Sequence, residues 1–158
     1  MSSPDSLPPD IPTNGPSGEI QFHSEGIAFR LRHIRRMRDW MRSVAREKGR
    51  TLLALNVIFC DDDFLHDVNL RYLQHDTLTD IITFPYSQDI DIQGDIFISV
   101  ERVRENASQF EASFQEELRR VIIHGVLHLC GLGDKSPEEQ KEMREAEDRA
   151  LAQWKATA

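Results

Sequence analysis

Apolar residues recur along this chain with two different periods, and the switches between them mark its elements. From Glu19 to Gly26 the run EIQFHSEG alternates, with Ile20 and Phe22 on one side, as in a half-buried strand; His23 near its end reads as a surface residue. Between Ile27 and about Lys48 the period becomes helical. Ile34, Met37, Trp40, Met41 and Val44 fall three and four apart, most of the arginines lie outside that stripe, and Gly49 supplies the stop. TLLALNVIFC, residues 51 to 60, reads as a buried strand. The acids Asp61, Asp62 and Asp63 then cap a short helix through Phe64, Leu65, Val68 and Leu70.

The second half of the chain is read the same way. Ile81 to Phe84 form a strand that Pro85 ends or confines to an edge. Another strand covers residues 95 to 100, with Gly94 allowing close approach at its start and Val103 to Ser108 giving a short helical connection. Phe114 to Leu129 make a buried helix, in which Gly125 is explained by close packing against the sheet. Ser136, Pro137 and Glu139 supply the cap, first-turn proline and capping-box acid of a structural last helix. The order strand, helix, strand, short helix, two strands and two helices predicts an α+β fold: a mixed sheet of about four strands covered by helices.

Composition narrows the class. With 158 residues and 39% hydrophobic content, one domain can bury a sufficient core. Residues 1 to 18 hold five of the seven prolines and no aromatic residue, so they read as a disordered lead before a domain spanning residues 19 to 158. Cys60 and Cys130 lie in apolar surroundings without a CxxC partner, as buried free thiols. The chain carries no apolar run of transmembrane length and no secretory signal pattern, which predicts a cytoplasmic protein without a membrane partner. The net charge of -8 argues against a protein that coats nucleic acid. Residues 30 to 50 nevertheless hold nine of the 19 basic residues and only two of the 27 acids, a local face able to contact phosphate.

The chemistry concentrates in VIIHGVLHLCGLGD, residues 121 to 134. His124 and His128 stand four apart and therefore share a helix face. The helix breaks at Gly131 and Gly133, so the chain can fold back and bring Asp134 to the same point. Two imidazoles and a carboxylate form a ligand set for a divalent metal with positions left open for water or substrate. An HExxH protease is excluded, because Gly125 stands where the general-base glutamate would be. Cys130, within the apolar turn, reads as packing rather than as a fourth ligand. An open three-ligand site points to metal-assisted hydrolysis, with amide, ester and phosphodiester all open.

The run HGVLHLCGLGD resembles the HGxLHLxGYDH signature of the YbeY family of metal-dependent endoribonucleases. NLRYLQHDTLTDIITFPY and the later GDIFIS resemble that family's NxxYRxxDxxTDVLSFP and GDIxIS stretches, in the same order. The resemblance implies a zinc ion, a groove for single-stranded RNA, and a role in ribosomal RNA maturation, notably small-subunit 3'-end processing, and in ribosome quality control. Ribosomal RNA and small-subunit ribosomal proteins are the implied partners. By position, His124, His128 and Asp134 are the implied catalytic metal ligands. Asn69, Tyr72, Asp76, Thr79 and Asp80 fall around the implied cleft, and Gly94, Asp95 and Ser99 fall on the later strand.

The sequence departs from the family pattern twice. Asp134 stands where the third ligand is usually His, with Gly133 in place of the preceding Asp. This shorter, harder ligand needs a closer loop and also suits iron or manganese. Leu73 stands where the family has an Arg credited with cleavage. Arg71, or Arg35, Arg38 and Arg42 of the basic helix, would then supply phosphate contacts. A noncatalytic ribosome-maturation factor and a hydrolase of another substrate are the alternative readings.

Overall fold

The computed structural model describes residues 19–75, 77–87 and 89–157; the proline-rich lead lies outside them. Four strands form one sheet in the order β1-β2-β4-β3: β1 (Ile20–Glu25), β2 (Thr51–Cys60), β3 (Ile81–Pro85) and β4 (Asp91–Ser99). The first three in that order run parallel, and β3 is antiparallel to β4 at the edge. Pro85 therefore sits on an edge strand, where its missing N–H costs no central hydrogen bond. Among the described residues five helices accompany the sheet: α1 (Ile34–Glu47), α2 (Asp62–Leu73), α3 (Val100–Gln109), α4 (Phe114–Leu129) and α5 (Pro137–Ala156). The expected mixed sheet covered by helices is what forms. Among the described residues no helix is long and apolar enough to cross a membrane.

Alternation along β2 builds two cores. Leu55, Val57 and Phe59 join Met41, Val44, Ile122 and Val126 in the larger one, which packs α1, α4 and α5 against the sheet. Ile58 and Cys60 point to the other face, where Leu65 and Val68 of α2 meet Phe84 and Phe97. Both cysteines are buried free thiols, and burial pushes the Cys130 thiol up to about 11. His23 is half-buried rather than at the surface. Its Nε2 lies 3.0 Å from Asn56 Oδ1, in a row continued by Asn56 and Tyr86, which both donate to buried Asp95.

Two boundaries differ from the sequence pattern. Helix α1 begins only at Ile34, because His33 adopts a left-handed conformation (φ 57°) that a helix does not continue through. The preceding residues instead pack Leu31 and Phe29 into the large core, Phe29 lying 4.8 Å from Phe59. Strand β4 starts at Asp91, four residues before the expected point, since Thr51 to Leu55 of β2 pair with Asp91 to Gly94. Helix α4, by contrast, spans the expected residues, and the last helix opens on the expected capping box at Ser136 and Glu139.

Candidate functional site

Helix α4 presses onto β3 and β4 at Gly125. A Cβ there would stand 2.9 Å from Ile81 Cδ1 and 3.0 Å from Ile96 Cδ1, so any larger residue would have to push these side-chain ends aside. The same contact places His124, one residue earlier, at the mouth of a cavity of about 330 Å³ beside the start of β3. Thr79, Asp80, Glu117, His124, Asp134 and Glu147 line it. Three of its residues descend one face of α4: Glu117, Arg120 and His124 follow at three- and four-residue spacings.

The ligand candidates are held individually. His124 Nδ1 lies 2.7 Å from Glu147 Oε2, and its Nε2 lies 3.4 Å from Asp134 Oδ2. His128 is exposed and directs Nδ1 at the Leu132 carbonyl, 3.2 Å away. A carbonyl oxygen only accepts, so that nitrogen donates. The hydrogen bond to Glu147 is the leading cause that raises the His124 pKa above its ordinary value, opposed by burial and helped by Asp134.

Among the described residues, no three His, Cys, Asp or Glu side chains close around one point as a metal cluster. His124 and Asp134 face each other, whereas His128 is tied back to its own turn. The donor set nevertheless fits a divalent ion. Both imidazoles engage acceptors through Nδ1 and leave Nε2 for coordination, the usual outer-sphere arrangement of metal-binding histidines. The separation of His124 Nε2 and Asp134 Oδ2 matches the edge of about 3.3 Å expected between two tetrahedral zinc ligands. Both histidines also lie in the C-terminal half of α4, where the helix dipole favours a cation.

The cavity is acidic. Burial raises the pKa of Asp80, and Asn106 Nδ2 donates to it at 3.3 Å. Burial, and then the Asp80 charge, raise that of Glu117, which is 6% exposed, against the pull of Arg120 and Arg144. Glu147 is equally buried but fully engaged, its Oε1 accepting from Arg120 Nη1 at 2.8 Å.

The remaining sequence candidates are distributed. Thr79 lines the cavity and donates to the Ile81 carbonyl at 3.3 Å. Asn69 is buried and donates to the Thr77 carbonyl at 2.9 Å, holding the loop after α2 against the helix. Tyr72 meets Phe84 edge-on at 6.4 Å. Arg71 pairs with Asp67 at 3.2 Å on an exposed face, and neighbouring Leu73 is 38% exposed. Arg35, Arg38 and Arg42 line a separate cavity of about 260 Å³ that shares no lining residue with the acidic one. Arg38 there donates to the Ile20 carbonyl at 2.7 Å. Asp76 lies outside the described residues.

Spacing within the histidine segment does not point to Glu117 or Glu147. The signal for Glu147 is its place beside the apolar stripe Met143, Ala146, Ala150 and Trp154, where an acid requires a buried partner. Glu117 stands two helical turns before His124 and thus on the same face.

The family model described as endoribonuclease YbeY matches residues 19–155. Endoribonuclease YbeY of Amoebophilus asiaticus is 48% identical over 133 residues, covering 84% of this chain and 90% of the relative. That of Bacteroides thetaiotaomicron is 47% identical over 133 residues, covering 84% and 97%. That of Flavobacterium psychrophilum is 49% identical over 132 residues, covering 84% and 94%. A solution structure of a Thermotoga maritima protein superposes with a TM-score of 0.60 at 26% identity, covering 88% of this chain and 93% of that one. With its sheet order, its HGVLHLCGLGD helix and these matches along almost its whole described length, the chain belongs to the endoribonuclease YbeY family.

Proposed function

We propose that this protein is a zinc-dependent endoribonuclease that cuts single-stranded RNA in the cytoplasm. Its role is ribosomal RNA maturation, at the 3' end of the small-subunit RNA, and ribosome quality control, in contact with small-subunit ribosomal proteins. The observation that carries this reading is the pair of α4 imidazoles with Nδ1 engaged and Nε2 left over, one of them facing Asp134 at 3.4 Å. His124, His128 and Asp134 would hold the ion through two nitrogens and one oxygen. When bound, such an ion lowers the pKa of its water and neutralises charge on a phosphodiester oxygen.

The chain's own residues supply the rest. Arg35, Arg38 and Arg42 take flanking phosphates, where charge-assisted hydrogen bonds are strong. Arg71 contributes a further contact at the surface where Leu73 provides none. Asn69 and Tyr72 fix the loop after α2, and Thr79 shapes the cavity rim. A purely structural zinc is disfavoured by Cys130, which is buried in the turn with its thiol pKa pushed up rather than down.

Metal-free protein, zinc-restored protein and the H128A variant, assayed on single-stranded RNA, test the proposal. Cleavage should appear only in the zinc-restored wild type. Undiminished cleavage by H128A would place the activity elsewhere.

A further inference from the structure

An imidazole can ligate a metal through either ring nitrogen, and the hydrogen bond made by the other nitrogen decides which. The choice is made by α5. Glu147, 6% exposed, places Oε2 2.7 Å from His124 Nδ1, and an ionised carboxylate at that distance accepts a proton-bearing nitrogen. Its other oxygen is held by Arg120 Nη1 at 2.8 Å, and Arg120 Nη2 reaches Asp148 Oδ1 at 2.8 Å. Arg120 lies one turn before His124 on α4, so the chain of contacts crosses between the two helices three times.

The apolar residues of these helices already belong to one core, including Val121 and Ile122 with Met143 and Ala150. Burying a carboxylate and a guanidinium beside that core costs desolvation that an apolar pair would avoid. The same helix also shapes the loop that carries Asp134. A Cβ at Gly133 would stand 2.0 Å from Glu139 Oε2, the capping-box carboxylate of α5. The Asp found at this position in the family signature would have to displace it.

We propose that Glu147, held in place by Arg120, is a positioning residue: it fixes His124 as the Nδ1–H tautomer with Nε2 aimed at Asp134, which makes α5 the outer half of the metal site. This rests on His124, His128 and Asp134 being the metal ligands.

Two measurements test it, neither needing RNA cleavage. Nitrogen-15 imidazole spectra of the zinc-loaded wild type should show His124 protonated on Nδ1 and coordinated through Nε2; coordination through Nδ1 overturns the proposal. Zinc affinity, read by competition with a chromogenic chelator, should fall about 10- to 100-fold in E147A and by less in E147Q, which keeps an acceptor oxygen without the charge. Metal-free melting temperatures are recorded in parallel. A variant that melts lower yet binds zinc as the wild type does shows a merely structural Glu147 and overturns the proposal. Should E147A fail to fold, E147Q and the wild-type spectra decide. H128A separates the two ideas: if it binds zinc normally, the ligand assignment fails, whereas normal binding by E147A alone removes only the positioning role.

Discussion

Two polar pockets on this molecule differ in sign and in how their side chains are held. At the end of α4 the cavity gathers Asp80, Glu117, Asp134 and Glu147 around one histidine. Beside the start of β1 the other gathers Arg35, Arg38 and Arg42 with Glu19 and Asp39. A polyanionic substrate is repelled by the first and attracted by the second. An acidic cavity suits RNA only when a cation stands in it. On the proposed reading the cavity on α4 carries the chemistry and the pocket on α1 the affinity, and each role can be broken separately.

The largest effect is expected at the histidines. H124A or H128A should lower kcat by about 10²- to 10³-fold, the scale of losing one preorganised charge-stabilising element, and should abolish zinc retention, with RNA affinity largely kept. Cleavage assays and gel-shift binding on the same samples check this. A variant that loses RNA binding instead of turnover would invert the assignment.

A second effect concerns how the acidic cavity is placed. Gly125→Ala inserts a methyl 2.9 Å from Ile81 Cδ1 and 3.0 Å from Ile96 Cδ1. Overpacking of this kind costs about 1–3 kcal/mol, against a helix-propensity gain of about 1 kcal/mol. The net outcome should be a lower melting temperature, with weaker zinc binding as α4 is pushed from β3. The basic pocket, which shares no lining residue with the acidic cavity, should keep its RNA affinity in the same variant.

Neutralising the arginines one at a time should produce a smaller, graded effect. R35Q, R38Q and R42Q should each weaken RNA binding, with the slope of log K against log salt falling by roughly 0.7 per lost phosphate contact on a single strand. Turnover at saturating RNA should be unchanged. Arg38 is the informative member, because it already donates to Ile20 and its loss also frees the start of β1. A fall in kcat without a change in salt slope would move these side chains into the chemistry.

Most of the fold is legible in the sequence because local rules agree with the tertiary outcome. Helix α4 and the capping box of α5 fall where periodicity and cap residues put them, and Gly94 and Gly125 do sit at close approaches, where an added Cβ would stand 2.8 Å from Phe84 O and 2.9 Å from Ile81 Cδ1. The exception is the stretch from Ile27 to His33, where apolar spacing compatible with a helix serves irregular backbone packed under Phe59. At the candidate site, residues sharing one short segment can be paired by spacing, as His124 and His128 are. Glu147 cannot, since its partner lies 23 positions away and the helix carrying it reads as a solvated, structural one. The arginines of α1 are legible as a charged cluster, but their separation from the α4 cavity is a property of packing alone.

The smallest effect sharpens the comparison at Glu117. Glu117 is 6% exposed, and burial and the Asp80 charge oppose its ionisation more than Arg120 and Arg144 favour it, so a charged carboxylate there costs free energy that a neutral isostere avoids. Burial and the Asp80 charge raise its folded pKa above the ordinary value of 4.5, so the folded state holds the proton more tightly than the unfolded chain. Its contribution to stability is then fully present below pH 4.5 and is lost as pH rises through the folded pKa. Metal-free E117Q should melt above the wild type at neutral pH, and the difference should shrink as pH is lowered toward 4.5. Melting curves across that range check the sign. A difference constant with pH would mean that Glu117 binds its proton equally tightly in the folded and unfolded chain, and the acidic cavity would then carry no instability that the basic pocket lacks.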